Sequence, residues 1–266
     1  NVKCWVYPNA HGTLDVVGAL TNSCNVFFCN LGYNLGLANP NAEPQYDEDG
    51  KVIKQTYSSE QGLEKLKKYA TMFGLDSTSG LEIPETDPQI SDEDSVRSAM
   101  GQGTNSYTNV QLSRYVSALA NRGNVYELSL VDKVTTSDGR VVREHQTELS
   151  SQVKVADSTW DAVQTGMRAV VSEGSAKDIF KDLEVEIAGK TGTAQENSRA
   201  NHAWFISYGP YTNPEISVTV NIPYGYSSSN AAAVAKNVYR LYYGYTSLDE
   251  ILNAGALRAS NVVIGD

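Results

Sequence analysis

Apolar positions recur at helical spacing in several stretches of the chain. Residues 13–23 (TLDVVGALTNS) predict a short helix, and residues 26–35 (VFFCNLGYNL) a second, with Phe27, Phe28, Leu31 and Leu35 on one side. The polar Ser23-Cys24-Asn25 falls in the break between them. Over 38–61 the pattern changes. Pro40, Pro44, an acidic run ending at Gly50 and alternation over 51–57 predict an exposed hairpin insertion. Residues 62–73 are amphipathic and stop at Gly74, and 81–94 read as an acidic loop with two prolines. Thr108 is placed to cap a strong helix over 108–121, with Gly123 past its end. Alternation over 128–145 turns at Asp138-Gly139, a hairpin signal. A helix over 158–171, capped by Asp157 or Ser158, leads to strands at 185–194, 203–208 and 216–222. A helix over 230–243 and a looser tail over 245–266 close the chain. Helices first, then antiparallel strands and a closing helix, predict an α+β domain.

Composition narrows the function classes. With 41% hydrophobic and 20% charged residues the 266-residue chain has the makeup of a globular protein. A net charge of -10 and a pI near 4.8 argue against a nucleic-acid partner, because phosphates need a basic surface. No stretch approaches the ~20 apolar residues of a membrane span. The chain opens with Asn1-Val2-Lys3-Cys4, without an initiator Met or signal pattern, which suits a piece of a longer protein. Cys4, Cys24 and Cys29 form no CxxC or zinc-spaced Cys/His set, so they read as packing residues and no metal ligands are assigned.

Gly189-Lys190-Thr191-Gly192-Thr193-Ala194-Gln195 carries the strongest chemistry. It follows an apolar strand start, and glycine inside a strand weakens it unless something must approach the backbone closely. Lysine beside two threonines supplies a cation and hydroxyl donors for a carboxylate. Together they describe an edge strand that accepts an extended peptide as an added strand. A phosphate loop is disfavoured, because the glycine it needs five positions before Gly189 is Glu184.

Ser23-Cys24-Asn25 alone would read as a capped helix start. Ser-x-Asn between two helices, followed much later by strand-borne Lys-Thr-Gly-Thr, resembles the serine penicillin-recognising enzymes, whose signatures are Ser-x-x-Lys, Ser-x-Asn and Lys-Thr-Gly. Residues 19–28 (ALTNSCNVFF), 98–103 (SAMGQG), 111–123 (QLSRYVSALANRG) and 167–174 (MRAVVSEG) are similar to segments of that family. So is the pairing of GKTGTAQ with the following His202-Ala203-Trp204-Phe205. The family's usual Thr-Pro before the Gln-Leu helix is here Thr108-Asn109-Val110. The long stretch between the motifs resembles a large, class B-like cell-wall transpeptidase more than a compact β-lactamase.

The resemblance implies the C-terminal portion of one transpeptidase domain over 1–266, with an antiparallel sheet, packed helices and an all-helical subdomain. It implies catalytic roles for Ser23, Asn25, Lys190 and Thr193. Ser23 would join a proton relay beside the Lys190 ammonium, and Asn25 would bond the substrate amide. The Thr193 N–H would supply half of an oxyanion hole, the Thr191 and Thr193 hydroxyls would bind the substrate carboxylate, and Gly192 would be a substrate-binding position. No cofactor is implied. The implied ligands are a peptidoglycan stem peptide ending in D-Ala-D-Ala, and β-lactams. The implied location is the extracytoplasmic face of a bacterial membrane, reached through an N-terminal part.

The family's nucleophile is absent from the expected place. Only 22 residues precede Ser23, and none holds Ser-x-x-Lys. The match at Ser151-Gln152-Val153-Lys154 lies between the other motifs, in the wrong order, and does not open a helix. The first strands and the nucleophile helix are then expected from a companion chain or an N-terminal part, and the chain alone is expected to be inactive. A β-lactam-sensing or peptidoglycan-binding module without turnover is the second reading. A D,D-carboxypeptidase or β-lactamase is the third. His11, His145 and His202 read as structural, and the acidic run at Asp92 to Asp94 as a solvated helix start.

Overall fold

A computed structural model describes residues 2–39, 43, 45–53, 55–195 and 199–254. Among them the helices are α1 (Val16–Thr21), α2 (Asn25–Leu35), α3 (Ser59–Met72), α4 (Ser95–Ser98), α5 (Asn109–Ala120), α6 (Asp157–Ser172), α7 (Lys177–Phe180), α8 (Ser228–Tyr242) and α9 (Leu248–Asn253). The strands are β1 (Gln45–Tyr46), β2 (Val52–Ile53), β3 (Asn124–Tyr126), β4 (Lys133–Thr135), β5 (Val141–Glu144), β6 (Leu149–Gln152), β7 (Ala188–Ala194), β8 (His202–Gly209) and β9 (Ile216–Ile222).

Antiparallel β7-β8-β9 form the central sheet, with Lys190 opposite Ile206 and Thr193 opposite Ala203. Alternation along β8 separates two cores. Phe205 and Ala203 pack with Ile187, Phe180, Val170 and the α8 residues Ala231, Ala235 and Tyr239. Tyr208 faces the other way, with Ala188, Val116, Leu119, Trp160 and Met167 from α5 and α6. Fully burying a side chain such as Phe205 contributes ~1.5–3 kcal/mol, so the sheet is anchored from both sides. α8 also carries an outward row, Val234, Val238, Leu241 and Tyr242, exposed to between 38% and 53%. The outer edge of β9 pairs with no further strand among the described residues.

Several expectations change in detail. The insertion does contain a hairpin, β1-β2, exposed throughout, but residues 59–61 belong to α3, whose cap is Ser58 accepting from Gln61 N–H. Pro40, Pro44 and part of the tail, 255–266, lie outside the described residues. Thr108 caps α5 as predicted and completes a capping box with Gln111. The cap of α6 is Ala156, which makes no side-chain bond. Asp157 instead pairs with Arg122 at 3.1 Å, so a distant guanidinium overrides its capping preference. The pairing of β3 with β6 has no sequence signal, because both are short and lie 23 residues apart. Asp94 does start a helix, accepting from Val96 N–H at 2.9 Å.

Candidate active site

Ser23 lies in the turn joining α1 to α2, where its N–H bonds Leu20 O at 3.2 Å and Cys24 N–H bonds Ala19 O at 3.0 Å. Its φ of +49° is left-handed, a conformation costing a non-glycine residue ~1–2 kcal/mol. The backbone bonds of the turn between the two helices hold it in that conformation. Cys24 then caps α2 without a side-chain bond, and Asn25 is its first residue.

From 167 residues away, Lys190 meets this turn. Its Nζ donates to Ser23 Oγ at 2.7 Å and to Thr191 O at 2.8 Å. As acceptor in that bond, the Ser23 hydroxyl keeps its own proton for a group in the cleft. An ammonium this close also favours a deprotonated or proton-sharing oxygen. Ser23, Asn25, Lys190, Thr191, Gly192 and Thr193 line one cleft of about 690 Å³, so every sequence-predicted site residue is brought together. That volume is within the range of small-ligand sites. Beside it lies an apolar cavity of about 570 Å³, walled by Phe73, Leu75, Tyr115 and Trp204 and sharing Gly192 and Thr193.

β7 is an edge strand, bonded to β8 on one side and to no other strand among the described residues. Its two glycines differ. A Cβ on Gly189 would stand 2.6 Å from Phe205 Cζ and 2.8 Å from Ile206 O, so packing on β8 requires glycine there. A Cβ on Gly192 would reach only Trp204 Cβ, at 3.4 Å. Packing against β8 therefore leaves room for a Cβ at Gly192, unlike at Gly189. The Gly-Lys-Thr triplet thus sits inside a strand, not in a phosphate-binding loop.

Thr191 is only 4% exposed and shares its hydroxyl with Ser175 Oγ at 3.0 Å. Thr193 is the more accessible of the two hydroxyls. Two further residues had no functional reading in the sequence. Ser175 follows the 167–174 segment directly. Gln102, inside the 98–103 segment, reaches Thr193 O with Nε2 at 3.5 Å and ties the helical side of the cleft to the strand. Burial pushes the Tyr107 phenol up to about 12 and also raises Tyr115; Tyr107 lines the apolar cavity, and Tyr115 stands between that cavity and the cleft.

Ser151 belongs to β6, where its hydroxyl donates to Met72 O at 3.1 Å, away from the cleft. The coincidental Ser-x-x-Lys therefore starts at the end of a strand and leaves it before Lys154, with no helix to stack the two side chains. His202 opens β8 and its Nδ1 accepts from Tyr224 N–H at 3.4 Å. The cysteines divide. Cys29 packs its sulfur on Met100 Sδ at 3.1 Å, a packing residue as read. Cys4 and Cys24 bring their sulfurs to 4.0 Å, and Cys4 Sγ lies 3.7 Å from His11 Nδ1. Sequence separations of 20 and 7 residues hide that Cys/His group from any spacing rule.

Comparison with known proteins agrees with this geometry. The family model described as penicillin binding protein transpeptidase domain matches residues 1–240. The peptidoglycan D,D-transpeptidase MrdA of Haemophilus influenzae is 28% identical, over 90% of this chain and 39% of that protein. Penicillin-binding protein 2B of Streptococcus pneumoniae is 25% identical, over 92% of this chain and 38% of that protein. The chain thus spans about two fifths of the length of these relatives. The solved structure of penicillin-binding protein 2B from S. pneumoniae strain R6 superposes with a TM-score of 0.71 at 23% identity, covering 86% of this chain and 39% of that one. Penicillin-binding protein A from M. tuberculosis, solved as an imipenem acyl-enzyme complex, gives 0.69 at 20% identity, over 88% of this chain and 48% of that one. With a strand-borne lysine on a Ser-x-Asn serine and a family match over nearly its whole length, the chain belongs to the penicillin-binding protein transpeptidase domain family, among relatives of class B type.

Proposed function

We propose that this chain is the substrate-holding and proton-handling part of a peptidoglycan D,D-transpeptidase. The observation that carries it is the 2.7 Å bond from Lys190 Nζ to Ser23 Oγ beside an open edge strand. A stem peptide ending in D-Ala-D-Ala lies along β7 as an added strand. Its carboxylate is held by the hydroxyls of Thr193 and Thr191 near the Lys190 charge. Asn25, whose side chain makes no hydrogen bond among the described residues, bonds the substrate amide. A free serine hydroxyl from outside this chain attacks the penultimate carbonyl, loses its proton to the relay, and becomes the acyl-serine as the bond to the terminal D-Ala breaks. The Thr193 N–H contributes to the oxyanion hole, where charge develops on the tetrahedral intermediate. Ser23 passes a proton to the departing D-Ala amine, and the acyl group then moves to an acceptor amine on a second stem. β-Lactams enter by the same route.

The nucleophile comes from outside this chain, from a Ser-x-x-Lys helix that precedes it in a longer product or sits on a companion chain. The outward apolar row of α8 and the open edge of β9 support that docking. Such a product works at the extracytoplasmic face of the membrane; among the described residues no helix is long and apolar enough to cross one.

Fluorescent penicillin tests this. The 266-residue chain alone should carry no covalent adduct by intact-mass spectrometry. The longer product should carry one, on a serine opening Ser-x-x-Lys outside this chain. In that product Lys190→Ala should slow labelling by about 10²-fold or more, the scale of a lost acid–base relay. An adduct on Ser23 or Ser151, or undiminished labelling of Lys190→Ala, would refute the proposal.

A further inference from the structure

We propose that Cys4, His11 and Cys24 form a zinc-binding site that clamps the N-terminal segment onto the Ser23 turn. Their ligand atoms lie within 4.8 Å of one another, the one such group among the described residues. The individual distances fit a shared ion more closely than that limit requires. With Zn–S about 2.3 Å and Zn–N about 2.0–2.1 Å, two thiolates on one tetrahedral ion stand about 3.8 Å apart, and thiolate and imidazole about 3.6 Å. Here Cys4 Sγ is 4.0 Å from Cys24 Sγ and 3.7 Å from His11 Nδ1. The sulfurs are too far apart for a disulfide, which needs ~2.05 Å, and all three cysteines are free thiols.

The surroundings hold these groups in place. The His11 ring packs edge-on against Trp5, with centroids 5.5 Å apart. Trp5 Nε1 donates to Asn22 O at 3.0 Å, fastening the segment next to Ser23. Among the described residues His11 Nδ1 has no hydrogen-bond partner but the Cys4 sulfur, while its Nε2 is buried without a partner. Two thiolates and an imidazole select a borderline-soft cation over magnesium or calcium. Three protein ligands leave one tetrahedral position for solvent or a ligand atom. Binding one Zn²⁺ displaces one proton from each thiol and none from neutral imidazole.

The consequence follows from position. Cys24 stands between Ser23 and Asn25, so the ion would tether the strained turn from which the relay hydroxyl projects. Lys3 and Trp5, on the clamped segment, line the same cleft.

Metal content is read without acylation, so failure here is separable from failure of the transpeptidase reading. The chain, purified with a non-thiol reductant and equilibrated with Zn²⁺, should retain one zinc after desalting, measured by elemental analysis. Cys4→Ser, Cys24→Ser and His11→Ala should each lose it, and Cys29→Ser should keep it. Co²⁺ in place of zinc should give a thiolate charge-transfer band in the near ultraviolet, a readout needing no variant. Zinc should raise the melting temperature of the parent chain and not that of Cys4→Ser. No retained zinc and no cobalt band, zinc that survives all three ligand substitutions, or a Cys4–Cys24 disulfide whose reduction yields no metal affinity would each overturn the proposal.

Discussion

Arg114 offers a stability test with a magnitude that can be worked through. It sits on α5 at 1% exposure, the largest fully buried side chain among the described residues. Its guanidinium donates to Gly74 O, to Ser77 O at 3.0 Å and to Thr78 O at 2.8 Å, with Glu127 Oε2 at 3.8 Å. Burial lowers its pKa, opposed by Glu127, but leaves it a cation at any working pH. Arg114→Met keeps the stem's packing and removes the donors. Gly74 is buried, so its carbonyl keeps only the long 3.5 Å bond from Ser77 Oγ and gains no water, at a cost of ~1–3 kcal/mol. Ser77 and Thr78 are exposed, and their carbonyls rehydrate, losing only the net ~0.5–1.5 kcal/mol of each bond. Relief from burying a charge offsets part of the sum, leaving about 3 kcal/mol. For a domain this large that lowers Tm by about 6–12 °C. Circular-dichroism melting checks it, with Arg114→Lys, which reaches fewer carbonyls, expected between the two. A Met variant melting within about 1 °C of the parent would show that the 74–78 turn does not depend on this guanidinium.

Two further outcomes follow from the same structure. Gly189→Ala drives a Cβ into Phe205 and Ile206 O, and should cost ~1–3 kcal/mol by urea titration; Gly192→Ala, with room beside Trp204, should cost less and act instead on penicillin labelling of the longer product. The Glu82 carboxyl is held at about 2, below its ordinary 4.5, by bonds from Ser129 Oγ first and Leu130 N–H second. Because the folded pKa is the lower one, this clip stabilises fully above 4.5 and is lost as pH falls toward 2. The melting temperatures of the parent and Glu82→Gln should therefore differ at pH 6 and converge across that window. A gap independent of pH would contradict the assignment.

Much was legible in the chain because local rules acted without opposition. Thr108 and Gln111 box α5, Asp138-Gly139 turn β4 into β5, and β9 falls on the residues where alternation places it. The Lys-Thr-Gly-Thr strand is readable from its glycines, lysine and threonines, whereas Ser-x-Asn, which alone reads as a capped helix start, gains its meaning only from the resemblance to the penicillin-recognising enzymes. What local pattern could not supply was contact between distant segments. Nothing in the order of residues states that Lys190 ends 2.7 Å from Ser23, or that Thr191 is buried against Ser175 while Thr193 is more accessible. Asp157 was misread as a cap because Arg122, 35 positions away, claims it. Cys4, His11 and Cys24 read as separate residues, since only the packing of the first segment over the α1–α2 turn makes them neighbours. Sequence determined which chemical groups this protein has and the strand or turn that carries each. Tertiary structure decided which of them meet, because hydrogen bonding and metal coordination depend on a few ångströms of separation that no linear spacing encodes.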